Sequence, residues 1–238
     1  MSTSRNIKLG IKKGSTIALG YIPIAITFGL LAKNTGLSAE ITILMSAVVF
    51  AGASQFVAVN LLQVGTGPWQ IILTTFIVNL RHLLMSASLA ERIKEKIPKS
   101  WIPILSFGIT DETFSFASLT PQAQLNKGYI LGINSIAYLA WVGGTALGVY
   151  LGQGLPTIIK NSMGIALYAM FIGLLVPSLK KSKSITIVSL IAISISSILN
   201  WGPNFLQNIS RGWKIIIVTI LASAFGAYFF PEVGEELE

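Results

Sequence analysis

The sequence predicts an all-α polytopic membrane protein with about seven transmembrane helices, within a range of about six to eight. Three observations carry that expectation. Hydrophobic residues make up 53% of the 238 residues and charged residues only 11%, whereas a soluble domain carries about 25% charged residues. Mean hydropathy is +0.72. The apolar residues also fall in runs close to the about 20 residues that span a bilayer. These runs are continuous and do not alternate with period two, which favours helices over a barrel.

Taken in order, the candidate spans are residues 14–32, 41–63, 68–89, 101–119, 129–151, 160–177, 184–200 and 213–230. Short connections join them, so residues 1–238 read as a single integral membrane domain. The run 14–32 is long for a signal peptide and no small-residue cleavage site follows it, so it reads as the first transmembrane helix. Pro23 and Pro177 are candidate kinks or stops. Trp101, Trp201 and Trp213 lie at span ends and read as interfacial anchors. Tyr129, Trp141 and Tyr168 read as packing residues, and the serines between Ser189 and Ser197 as links between helices. The acidic tail PEVGEELE reads as a frayed end.

The net charge of +8 does not point to nucleic acid, because no basic face is interleaved with aromatics. Basic residues instead flank the spans, as cytoplasmic loops require. Arg5, Lys8, Lys12 and Lys13 put the N-terminus inside, and Lys180, Lys181 and Lys183 put their loop inside. The loop Glu91–Ser100 carries Arg92, Lys94, Lys96 and Lys99. Three full crossings would place it outside, against the rule, so an early segment is expected to be broken or re-entrant. Gly52, the stretch Asn79–Arg81 and the segment 101–119 are the expected break points. With no cysteine, disulfides and thiolate sites are excluded.

An internal duplication is a further expectation. An offset of 118 residues aligns Gly36-Leu37-Ser38 with Gly154-Leu155-Pro156, Met45 with Met163, and Phe50-Ala51 with Tyr168-Ala169. Duplicated halves with a site at their interface are common in secondary transporters.

The sharpest feature is a set of polar residues at mid-depth in three spans. FIVNLRHLLMSASL (Phe76–Leu89) holds Asn79, Arg81 and His82, the single histidine. FAGASQF (Phe50–Phe56) holds Gly52, Ser54 and Gln55, and GITDETFSF (Gly108–Phe116) holds Asp111 and Glu112. A lone charge at the bilayer centre costs at least about 2.5–3.5 kcal/mol, and intramembrane ionisable residues are functional candidates by default. Arg81 either neutralises Asp111 or Glu112 and fixes packing, or holds a substrate carboxylate through two parallel hydrogen bonds. His82 suits proton coupling because its ordinary pKa lies near neutrality. Asp111 or Glu112 could accept a proton or an ammonium group. An apolar remainder of such a cavity would suit an aliphatic side chain.

FAGASQF, NLRHLLMS (79–86) and TDETF (110–114), in this order and spacing, resemble the AzlC family. GYIPIAITFGLLA (20–32) is similar too, and YAMFIGLLVP (168–177) more loosely. The resemblance runs from Gly14 to Phe230. It implies the large subunit of a two-component exporter of branched-chain amino acids (leucine, isoleucine and valine), with methionine as an additional candidate substrate, in the bacterial cytoplasmic membrane. It also implies a small AzlD-type membrane subunit as partner and the proton motive force as energy source, with no bound cofactor and no metal. No P-loop is present for direct use of ATP.

Three other functions fit the sequence less well. A carrier or channel for another small organic ion fits the charges, but they form no repeated ring. An intramembrane hydrolase would use Ser54 as nucleophile and His82 as base, but GASQF lacks the final glycine of a nucleophile elbow. A purely structural subunit has little need of mid-membrane charges.

Overall fold

The computed structural model describes residues 3–93, 97–121, 125–151, 178–180 and 182–231, with isolated positions 154, 156, 158, 172, 173, 175 and 176. The described chain is helical: α1 (Thr3–Asn34), α2 (Ala39–Val49), α3 (Gly52–Gln63), α4 (Pro68–Ile93), a 3-10 turn (Lys99–Trp101), α5 (Ile102–Phe107), α6 (Asp111–Leu119), α7 (Lys127–Leu151), α8 (Lys183–Trp201), α9 (Asn204–Gln207) and α10 (Arg211–Phe229). Among the described residues, five of these helices are long and apolar enough to cross a membrane: α1, α4, α7, α8 and α10. The molecule is an all-α polytopic membrane protein.

Five of the eight expected spans thus exist as single helices. Two are interrupted. The span 41–63 is split into α2 and α3 at Phe50–Ala51, and 101–119 is split into α5 and α6 at Gly108–Thr110. The span 160–177 and the second member of each aligned repeat pair lie largely outside the described residues. Pro23 sits inside an unbroken α1, where the Thr27 hydroxyl donates to the Pro23 carbonyl. Lys94, Lys96, Tyr168, Pro177, Lys181 and the end of the tail also lie outside the described residues.

Two compact units form: Met1–Val59 with Asn79–Leu167, and Asn60–Val78 with Tyr168–Glu238. The first is built on the close pairing of α1 with α7. A Cβ on Gly10 would lie 2.2 Å from the Tyr129 carbonyl oxygen, one on Gly132 2.3 Å from that of Ile7, and one on Gly148 2.2 Å from that of Ile26. Glycine is therefore required for the backbones to touch. Lipid offers no hydrophobic drive for helix association, so close contact of this kind is what holds membrane helices together. Phe28 and Phe56 meet edge to face with ring centroids 5.4 Å apart, and Phe28 stacks on Trp141 of α7 at 6.3 Å.

Ser38 opens α2, its hydroxyl accepting from the Ile41 N–H. Beside it, the exposed Glu40 carboxyl is held below its usual pKa by its own backbone N–H and by the Ser38 hydroxyl. In the second unit, Gly212 of α10 lies against Gln70 and Thr74, and Gly226 against Val188 of α8. Trp201 is 82% exposed at the end of α8, and Trp69 is equally so at the start of α4. Both suit the membrane–water interface.

Candidate functional site

The two interrupted spans meet at their breaks, inside the first unit. Phe50 ends α2 in the left-handed region, with φ 44° and ψ 43°. A bulky side chain there is strained by about 1–2 kcal/mol. Aromatic packing offsets that strain: Phe50 is buried, with ring centroids 5.3 Å from Tyr138, 6.2 Å from Phe107 and 6.4 Å from Tyr21. Phe107 is the last residue of α5, so one ring from each break forms the contact.

The second break is held by its own threonines. Thr110 caps α6, its hydroxyl accepting from the Thr113 N–H, while Thr113 Oγ1 accepts from the Thr110 N–H at 2.7 Å and donates to the Gly108 carbonyl at 3.0 Å. Gly108 is required here, since a Cβ would fall 2.3 Å from Asn134 Nδ2. An open backbone inside a membrane protein survives only where buried partners satisfy it.

One face of α7 supplies such partners. Asn134 donates to the Leu105 carbonyl, Tyr138 to the Ala47 carbonyl, and Trp141 Nε1 to Gln55 Oε1, while Thr145 Oγ1 lies 2.8 Å from Ser46 Oγ. Gln55 Nε2 closes the network on Ser46 at 3.0 Å. Positions 134, 138, 141 and 145 follow the spacing of a single helix face.

The charged residues converge on the second break. Arg81 Nη1 lies 2.8 Å from Asp111 Oδ2, and the two side chains are 32% and 30% exposed. His82 Nδ1 lies 2.9 Å from the Ile109 carbonyl oxygen. A carbonyl can only accept, so Nδ1 carries the hydrogen, and the neutral ring offers Nε2 as an acceptor. Glu112 takes a different set of partners. Tyr21 of α1 donates to its carboxylate, and Thr110 Oγ1 donates to it at 3.1 Å. Further along, Arg92 donates to the carbonyls of Ala117, Ser118 and Thr120 at 2.7–3.1 Å, covering the end of α6. Arg81 and Arg92 are about three turns apart, on one face of α4, so α4 grips α6 at both ends.

Three buried polar atoms near the ion pair have no hydrogen-bond partner: Asn79 Oδ1, Arg81 Nε and His82 Nε2. Among the described residues, no group of three or more His, Asp or Glu is placed to hold a metal ion.

The expected site residues therefore divide. Arg81, His82, Asp111 and Glu112 lie at the second break, and Asn79 precedes them on α4 with its buried Oδ1 unpartnered. Ser54 and Gln55 are buried and bonded within the packing, Ser54 Oγ to the Ala51 carbonyl at 3.0 Å. Gly52 lies against the Trp141 ring, where a Cβ would stand 2.7 Å from it. Ser54 and His82 share no hydrogen bond among the described residues, so the hydrolase pairing finds no geometric support. The break expected near Asn79–Arg81 is corrected: α4 runs unbroken from Pro68 to Ile93. Its polar side chains reach sideways to a neighbour's open backbone, so its own hydrogen bonds stay closed.

Tyr21, Asn134, Tyr138 and the glycine seam were not anticipated. Gly10-x-x-x-Gly14, Gly128-x-x-x-Gly132 and Gly144-x-x-x-Gly148 are visible in the sequence as a close-packing signal. Tyr21 gives no comparable signal.

Comparison with known proteins bears on the same region. The family model described as AzlC protein matches residues 16–155. The chain belongs to the AzlC family. The stretch that matches the AzlC model contains both breaks and every residue of the site. The chain is 31% identical to the inner membrane protein YgaZ of Escherichia coli over 196 residues, covering 79% of this chain and 80% of that protein. It is 35% identical to an uncharacterized membrane protein of Archaeoglobus fulgidus over 182 residues, 76% of this chain and 79% of that one. It is 28% identical to the branched-chain amino acid transport protein AzlC of Bacillus subtilis over 191 residues, 79% of this chain and 74% of that protein. No solved structure matches.

Proposed function

We propose that the protein is a secondary transporter that exports branched-chain amino acids across the cytoplasmic membrane, driven by the proton motive force and working as the large subunit beside a small AzlD-type subunit. The carrying observation is the Arg81–Asp111 ion pair, held at an open backbone within a membrane protein yet partly exposed. A scaffold would bury such a pair or do without it. A carrier for a zwitterion needs a cation and an anion that a substrate can reach.

The chemistry follows from the groups present. The substrate carboxylate displaces Asp111 from the Arg81 guanidinium, and the substrate ammonium takes Asp111. Each charge keeps a partner throughout, so exchange avoids the cost of a bare ion in the membrane. Asn79 Oδ1 and the acceptor on His82 are further partners for the ammonium, and Arg81 Nε is a further donor for the carboxylate. The aliphatic specificity, with leucine, isoleucine and valine as substrates, is supported by the likeness to the branched-chain amino acid transport protein AzlC of Bacillus subtilis; methionine is a further, unbranched candidate of similar size. The basic residues Arg5, Lys8, Lys12 and Lys13, all exposed on the first turns of α1, support a cytoplasmic N-terminus.

The test is counterflow of radiolabelled leucine in proteoliposomes, with and without the small subunit, under an imposed pH gradient. Saturable exchange accelerated by the gradient is expected. No leucine exchange by a folded complex, alongside saturable exchange of another small organic ion, would replace the substrate and keep the carrier.

A further inference from the structure

We propose that Glu112, held by the hydroxyls of Tyr21 and Thr110, is the group that takes up and releases the coupling proton. This rests on the proton-coupled carrier proposed above and adds Tyr21 to its machinery.

The two adjacent carboxylates at the break have unlike partners. Asp111 has Arg81 at 2.8 Å. Glu112 has only hydroxyls, from Tyr21 and Thr110, and among the described residues no cation pairs with it. A carboxylate without a cation, at the centre of a membrane protein, is the one for which a neutral form is accessible. Tyr21 from α1 and Thr110 bond to it directly; the other titratable or charged groups at this break are Arg81 from α4, paired with Asp111 of α6, and His82 from α4, on the Ile109 carbonyl. Along α7 the single charged residue is Lys127 at its start, and the Tyr138 hydroxyl is committed to the Ala47 carbonyl.

Charge balance favours reversible loading. Arg81 brings one positive charge, and the N-terminus of α6 brings about half a unit more. With both carboxylates ionised the cluster is about half a unit negative, and with Glu112 protonated about half a unit positive. Neither state carries a full unpaired charge, so neither is locked. Hydroxyls suit both: Tyr21 and Thr110 donate to the carboxylate, and either oxygen can accept from the carboxylic acid.

Tyr21 also touches the rest of the site. Its hydroxyl lies 2.6 Å from Thr110 Oγ1, and its ring packs on Trp141 and Phe50 with centroids 5.4 and 6.4 Å away. A change of hydrogen bonding at Glu112 is thereby felt at both breaks. Substrate at Arg81–Asp111 and proton at Glu112 occupy neighbouring residues of one helix turn, which gives a direct route for one to alter the other.

Infrared titration of the protein in lipid, reading the protonated-carboxyl C=O stretch, tests this without requiring transport. The wild-type minus Glu112→Gln difference spectrum, in which the other eight Asp and Glu side chains cancel, is expected to hold one titrating band, displaced in pH when both proteins also carry Tyr21→Phe, which keeps the ring and removes only the hydroxyl. In proteoliposomes, the acceleration of leucine exchange by a pH gradient is expected to vanish in Glu112→Gln. A difference spectrum with no titrating band overturns the assignment whether or not leucine moves. A Glu112-dependent band in a protein that moves no leucine overturns the transport proposal and leaves the proton site standing.

Discussion

Arg81 Nη1 stands 2.8 Å from Asp111 Oδ2, and this ion pair ties an unbroken membrane helix to the first turn of a broken one. The neighbouring His82 holds the Ile109 carbonyl, which the break leaves without a helical partner. An arginine and a histidine side by side in an apolar segment thus act on the backbone and the side chain of one turn.

The glycine seam is the strongest structural demand. Gly148→Ala places a methyl 2.2 Å from the Ile26 carbonyl oxygen, and overpacking of this kind costs about 1–3 kcal/mol. Gly143→Ala, on the same helix, meets nothing within 4 Å, and gains up to about 1 kcal/mol from helix propensity. Thermal unfolding in detergent should separate the two, with Gly148→Ala lowered and Gly143→Ala unchanged or raised.

Gln55→Leu should destabilise without touching the charged cluster. It leaves Trp141 Nε1 and Ser46 Oγ short of a partner in a buried network, at a cost of about 1–3 kcal/mol. Thermal unfolding followed by tryptophan fluorescence reads the loss. Ser54→Ala removes one local bond to the Ala51 carbonyl, so its cost should stay near about 1 kcal/mol, with leucine exchange retained.

Arg92→Gln should loosen the end of α6. The guanidinium meets three carbonyls there, and charged hydrogen bonds contribute about 1.5–3 kcal/mol. Hydrogen exchange of α6 amides should accelerate by about 10- to 100-fold at that energy. Lysine at position 92 should recover only part, because an ammonium cannot span three acceptors as a planar fork does.

Topology is testable because the chain has no cysteine, so any introduced cysteine is unique. Ser4→Cys and Ser100→Cys, both at exposed positions, should react with an impermeant maleimide from the cytoplasmic side, as the basic residues around them require. Cytoplasmic labelling of both would mean that α2 and α3 together do not make a full crossing.

Spans of uniform apolar character were legible, because length and continuity alone identify a membrane helix. The meeting of Arg81 with Asp111 was legible as well, since charges at one depth seek each other. The break in 101–119 was anticipated from its charges, and the break in 41–63 was placed at Gly52, next to the observed Phe50–Ala51. Phe50 was not foreseen in the left-handed region, because three rings hold it there and two of them come from distant segments. Tyr21 was missed for the same reason: a tyrosine in an apolar run shows its role only when Glu112 is folded against it. The break assigned to Asn79–Arg81 failed because polarity within a span signals a polar neighbour as readily as an open backbone.

Leucine counterflow by Arg81→Gln shows whether Arg81 binds the substrate carboxylate. The variant should be compared with wild type at equal, verified folding in proteoliposomes containing the small subunit. Loss of a charged hydrogen-bond pair, about 1.5–3 kcal/mol, predicts a fall of about 10- to 100-fold in exchange at low leucine concentration. Undiminished exchange by a folded Arg81→Gln complex would contradict the account.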